Sequence, residues 1–149
     1  MENPSVVVMA ASSGGLAAME TILAALPASF PAAILIAQHR APDFPAVLEE
    51  QLGRVTSLTV KTAAQGDAIL PGTAFVAPPD HHLLVTQGNT LIVSRSAKVR
   101  HARPAADPLF ESAAEYIKGL LIGVVLTGGD SDGSDGIRAI KRSGGIVIA

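Results

Sequence analysis

The stretch Val6–Leu26, VVVMAASSGGLAAMETILAAL, decides the fold. An apolar, β-branched run stops abruptly at Ala10-Ala11-Ser12-Ser13-Gly14-Gly15, and a helical pattern begins at once. Leu16, Met19, Ile22, Leu23 and Leu26 recur at i, i+3 and i+4 spacing, an amphipathic face suited to packing on a sheet. A continuous apolar run, as opposed to an alternating one, suits a strand buried on both faces of a parallel sheet. Three runs share this layout: Ser5–Ala10, Ala33–Ala37 and Leu120–Leu126. Helical patterns follow each, at Leu16–Leu26, Phe44–Leu52 and Ile137–Arg142, and Leu58–Thr62 adds a weaker strand pattern. The repeated strand–loop–helix unit predicts an α/β fold, an open and mostly parallel sheet sandwiched by helices.

The middle of the chain breaks that rhythm. In GTAFVAPPDHHLLVTQGNTLIVSRS (Gly72–Ser96), short strand-like runs are separated by Pro-Pro-Asp and Gln-Gly-Asn. This predicts an antiparallel hairpin excursion at the sheet edge around residues 72–96. His81 and His82 fall at the start of one of its strands, where only one of the two side chains faces inward. An Ala-rich helix follows, with Asp107 and Pro108 at its start. No repeat, low-complexity tract or linker interrupts the chain, so residues 1–149 read as one domain. The chain stops inside the apolar run Gly145–Ala149, which reads as a C-terminal truncation that leaves a strand edge open to self-association.

Composition narrows the function classes. A chain of 149 residues with 48% hydrophobic and 16% charged residues is long and apolar enough for a sizeable core. A net charge of −2 gives no electrostatic case for binding nucleic acid or an anionic membrane. The absence of cysteine excludes disulfides, thiol catalysis and cysteine-ligated metals, and fits a cytoplasmic location. No apolar run reaches membrane-spanning length, and Met-Glu-Asn-Pro-Ser lacks the basic start of a secretory signal.

In open α/β sheets, ligands bind beyond the carboxyl ends of the strands, which shortens the list of chemical candidates. Ser12 and Ser13 follow the first strand, His39 the second, and Asp130, Asp132 and Asp135 the strand Leu120–Leu126. If those strands are neighbours, a hydroxyl, an imidazole and a carboxylate converge. A serine hydroxyl is a poor nucleophile until a base takes its proton, and neutral imidazole does so near pH 7. A carboxylate on the other ring nitrogen fixes the tautomer, and helix N-terminal N–H groups beside the serine would stabilise an oxyanion. Other readings remain open on spacing alone. Ser12 suits a helix cap. Ser12–Gly15 also suits a phosphate cradle, hence a nucleotide-binding module, although the Gly-x-Gly-x-x-Gly pattern and the P-loop lysine are missing. The aspartate loop suits a solvated turn, and its spacing does not match a calcium loop. The Gly-x-Ser-x-Gly elbow of the α/β-hydrolases is absent.

The segments AASSGGL, AQHRAP, LPGTAFVAPPDHHL, RPAADPLF and LTGGDSDGSDGI, taken in order, resemble the catalytic domain of the chemotaxis receptor methylesterases (protein-glutamate methylesterase, CheB type), from about Val6 to Ala149. The resemblance implies that Ser12 is the nucleophile, His39 the base and Asp132 its orienting carboxylate. It puts Ser13 near the oxyanion, and Gly129 where the family usually has methionine, which keeps a backbone N–H but removes an apolar wall beside the ester. It further implies hydrolysis of γ-glutamyl methyl esters on the cytoplasmic helices of methylated chemoreceptors, with deamidation of some glutamines and no cofactor. The family's receiver domain is not expected in this chain. A catalytically silent relative that only binds receptor helices is the rival within the same resemblance.

Overall fold

The structure, a computed structural model, describes residues 3–39, 48–126 and 132–149. Strands β1 (Ser5–Ala11) and β2 (Ala32–Gln38) are buried along almost their whole length. Val6, Val8 and Ala10 face one core with Leu35 and Phe75, while Val7, Met9 and Ala11 face a second core with Ile34 and Ile36. Both faces are covered, so the strands read as continuous apolar runs with no polar alternation.

The remaining elements are α1 (Leu16–Ala24), α2 (Leu48–Val55), β3 (Thr59–Thr62), β4 (Thr73–Val76), β5 (His82–Thr86), β6 (Thr90–Ser94), α3 (Ala106–Tyr116), β7 (Leu121–Leu126), α4 (Ser134–Arg142) and β8 (Ile146–Ile148). Six strands form one parallel sheet in the order β3-β4-β2-β1-β7-β8. Met19 and Leu23 of α1 and Leu48 and Leu52 of α2 cover one face. Leu109, Phe110 and Ala113 of α3 and Ile140 of α4 cover the other. The expected open α/β sandwich is the fold observed.

Differences from the sequence expectation have local causes. Helix α1 stops at Ala24, short of Leu26, because Leu26 precedes Pro27, whose ring disfavours helical backbone in the residue before it. Residues 44–47 of the second helical pattern lie outside the described residues, and α2 itself continues to Val55. The antiparallel part of the Gly72–Ser96 window is narrower than expected. Thr73–Val76 is fully buried and runs parallel between β2 and β3, while only β5 and β6 pair antiparallel. That hairpin forms its own two-stranded sheet and does not extend the edge of the main one. Leu83, Val85 and Leu91 pack it into the α3-side core, and the Val85 N–H donates to Ser112 Oγ at 2.9 Å. Its turn uses the expected Gln-Gly-Asn, with Gly88 and Asn89 both at positive φ.

The topology fixes where a site can form. The chain leaves β1 toward β2 on one side and returns to β7 on the other. That reversal puts a crevice at the carboxyl ends of β2, β1 and β7.

Candidate active site

The last register pairs of the central strands are Ala11 with Gln38 and Ala11 with Leu126. Ser12 and His39 are therefore the next residues out on adjacent strands. The His39 N–H donates to Ala11 O at 2.9 Å, and Gln38 Nε2 donates to Ser12 O at 3.0 Å, tying the two strand ends together. Ser12 is extended (φ −85°, ψ 178°), and its carbonyl also accepts from Gly15 N in a short 3-10 turn, Ser13–Gly15, that leads into α1. Ser12 makes no side-chain capping bond to that turn, so the helix-cap reading does not describe it. Ser13 opens the turn.

From the far side of β1, Asp132 reaches the histidine. His39 Nε2 and Asp132 Oδ2 lie 2.8 Å apart, with the His39 side chain 23% exposed and that of Asp132 2% exposed. Asp132 Oδ2 also accepts from Ala106 N at 2.7 Å, and Oδ1 accepts from Asp107 N at 3.1 Å. Burial is the largest influence on this carboxyl and opposes its ionisation. The hydrogen bonds from His39 and from the two N–H groups together outweigh burial and hold it below the usual carboxylate value. Asp132 therefore stays a carboxylate over the range in which an imidazole titrates. Gly129 and Asp130 lie outside the described residues. Asp135 points elsewhere: it pairs with Arg138, and Arg100 Nη2 lies 3.7 Å from its Oδ2.

The N-terminus of α3 explains why Asp132 sits so firmly. An α-helix begins with four N–H groups that have no intrahelical partner. Here Ala105 N donates to His82 Nδ1 at 3.2 Å, Ala106 and Asp107 donate to Asp132, and Pro108 has no N–H to place. His82, buried at the start of β5, is the inward-facing member of the His81–His82 pair. With Nδ1 accepting, its Nε2 donates to Ala97 O at 3.0 Å. Gln38, His82 and Asp107 are site-building residues to which sequence reasoning gave no part in the site, although it set Asp107 at a helix start and one of His81 and His82 facing inward. Among the described residues, no group of three or more His, Asp or Glu side chains is arranged to hold a metal ion.

Fold and site together define a class: an open, parallel α/β domain whose site lies at the carboxyl edge of its central strand, around a carboxylate-bonded histidine. The chain belongs to the CheB methylesterase family, whose description matches residues 7–149. It is 42% identical over 147 residues to a protein-glutamate methylesterase/protein-glutamine glutaminase of Caulobacter vibrioides, covering 96% of this chain and 42% of that protein. A putative enzyme of the same description from Leptospira interrogans is 38% identical over 146 residues, covering 98% of this chain and 76% of that one. The crystal structure of the Thermotoga maritima CheB methylesterase catalytic domain superposes with a TM-score of 0.92 at 37% identity, over 99% of this chain and 80% of that one. This chain thus spans less than half the length of the Caulobacter relative.

Proposed function

We propose that residues 1–149 carry a catalytic domain that hydrolyses glutamate γ-methyl esters, and deamidates glutamines, on the cytoplasmic helices of methylated chemoreceptors. We place it in the cytoplasm. Ser12 Oγ attacks the ester carbonyl as its proton passes to His39 Nδ1, the ring nitrogen opposite the one bonded to Asp132. The tetrahedral oxyanion is met by backbone N–H groups at the Ser13 turn, and Gly129 is assigned to the oxyanion or substrate side on the family motif alone. His39 then gives the proton to the departing methoxide, so methanol leaves and an acyl-serine remains. Water, deprotonated by His39, attacks the acyl-serine and returns Ser12 with a glutamate product. Asp132 fixes the imidazole tautomer and stabilises the imidazolium formed in each half. The scheme uses no metal or organic cofactor, and its partner is protein rather than nucleic acid or lipid.

One observation carries this reading: the 2.8 Å His39–Asp132 bond lies at the carboxyl edge of the sheet, where Ser12 is the first residue beyond the neighbouring strand. The names of the relatives support the choice of ester and amide substrates. The test is methanol release from a methylated receptor. Ser12→Ala should abolish it with the fold intact, since Ser12 lies beyond the core strand. Ser13→Ala should slow it by about 10²-fold at most, the scale of one oxyanion contact. A dead Ser13→Ala beside an active Ser12→Ala would reassign the nucleophile.

A further inference from the structure

We propose that Asp107 is a positioning residue for the histidine–carboxylate pair, acting through the loop end that carries Asp132. Its activity readout rests on the function proposed above, while its spectroscopic readout does not. Asp107 is 2% exposed, and no step of the reaction uses it. Its Oδ1 accepts from Gly133 N at 3.0 Å and from Gly136 N at 2.8 Å, the first and fourth donors at the start of α4. Gly133 is the residue next to Asp132. Asp132 in turn accepts from the N–H groups of Ala106 and Asp107 at the start of α3. Asp132 therefore occupies the N-terminus of α3, whose first turn holds Asp107, and Asp107 occupies the N-terminus of α4, which follows Asp132; in both places the helix dipole favours negative charge. The exchange locks the two helix starts together at the point from which Asp132 meets His39.

The packing makes the exchange specific to this place. A Cβ on residue 136 would lie 2.4 Å from Phe110 Cβ and 3.3 Å from Asp107 Oδ1, so α3 and α4 approach this closely only because Gly136 has no side chain. Asp107 Oδ2 has no hydrogen-bond partner among the described residues, and the Arg100 guanidinium lies 3.8 Å away at Nε. Capping alone requires one acceptor oxygen, which an asparagine also supplies. Among the described residues, the charged groups around the two helix starts are Asp107 and Glu111 on α3, Asp135, Arg138 and Arg142 on α4, and Arg100. Asp132 Oδ2 serves the Ala106 N–H and His39 at once, so a shift of the loop end costs it one bond or the other. Outer partners that orient the ligands of a metal site typically cost about 10–100-fold when lost, and the same scale is taken here for a partner that orients a catalytic carboxylate. The Arg103-Pro104-Ala105-Ala106-Asp107 segment thereby gains a function: it builds the half of the site that the strand ends do not.

The experiment compares Asp107→Ala, Asp107→Asn, Asp132→Ala and the Asp107→Ala/Asp132→Ala double variant, in the intact chain. Two readouts are taken: kcat and KM for methanol release, and the midpoint of the His39 ring titration by NMR. Asp107→Ala should lower kcat about 10–100-fold with KM little changed, and Asp107→Asn should lose much less because its amide oxygen replaces Oδ1. In the Asp132→Ala background, Asp107→Ala should cost little more, since its effect passes through Asp132. The His39 midpoint should fall in Asp107→Ala, in the direction of Asp132→Ala, and further than in Asp107→Asn, which also removes the charge. Losses that multiply in the double variant, or a His39 midpoint equal in Asp107→Ala and Asp107→Asn, would reduce Asp107 to a helix cap. If Asp107→Ala does not fold, Asp107→Glu keeps the charge but displaces it by a methylene. The same fall in kcat and midpoint is expected there, and a wild-type midpoint overturns the proposal. A wild-type chain that releases no methanol, yet whose His39 midpoint responds to Asp107→Ala, would defeat the proposed function and leave the positioning role standing.

Discussion

Asp132 is a nearly buried carboxyl that remains ionised because its hydrogen bonds outweigh its burial. A carboxyl lowered in the folded state contributes stability that is complete above its unfolded value, about 3.9, and is lost as pH falls through the folded value. Asp132→Asn should therefore flatten the fall in urea midpoint below about pH 4. It should not abolish that fall, because Asp67, bonded to Lys61, and Asp80, bonded to Arg103, are also lowered and titrate in the same window. Midpoints for both proteins from neutral to acid pH decide the matter, and parallel curves would mean that the folded state does not favour the charged form of Asp132. The sequence makes Ser12, His39 and Asp132 conspicuous because each follows a strand end and matches a family motif. It leaves Asp130, Asp132 and Asp135 equivalent on spacing alone, and the hydrogen bond to His39 is what distinguishes Asp132. Gln38, His82 and Asp107 were not legible in the same way. Their long-range partners are backbone groups 15 to 29 residues away, and a backbone N–H or carbonyl leaves no mark in a sequence.

Elements divide into those whose environment is uniform and those that meet two environments. Strands β1, β2 and β7 are legible because burial on both faces leaves an uninterrupted apolar signature. Thr73–Val76 has the same burial, but at four residues beside a hairpin its pattern does not separate a parallel strand from an antiparallel one. Helix contacts give a sharper test, because two helical glycines predict opposite outcomes. A methyl at Gly136 in α4 meets Phe110 Cβ at 2.4 Å, an atom fixed to the α3 backbone, so the helices must part. Overpacking of this kind costs about 1–3 kcal/mol, more than the roughly 1 kcal/mol that alanine gains over glycine in a helix. A methyl at Gly53 in α2 meets nothing within 4 Å and keeps only that gain. Gly136→Ala should thus lower the urea midpoint and Gly53→Ala should raise it. Shifts of the same sign would mean that α3 and α4 do not approach as closely as described.

Over the whole molecule, cover is uneven across the sheet. Helices α1 and α2 close one face over β1 and β2, and buried Val124 with partly buried Ile122 and Leu126 of β7 continue that face outward. Ile146 and Ile148 of β8 stand in register with Ile122 and Val124 but are 50% and 54% exposed. Between them Val147 turns to the other side, against the α4 core. Among the described residues β8 is the outermost strand on its side of the sheet, with its outer backbone groups in no ladder. A short apolar edge of this kind is a template for pairing, and β8 itself carries none of the lysines or prolines that commonly protect edges. A net charge of −2 adds little repulsion between copies. The 149-residue chain should therefore self-associate through β8 as its concentration rises. Ile148→Lys should suppress this with little change in the urea midpoint, because the side chain it replaces is already half in water. Sedimentation velocity over a concentration series checks both proteins. A wild-type chain that stays monomeric throughout would show that the exposed isoleucines do not drive pairing, whereas association equal in the two proteins would place the contact on another surface.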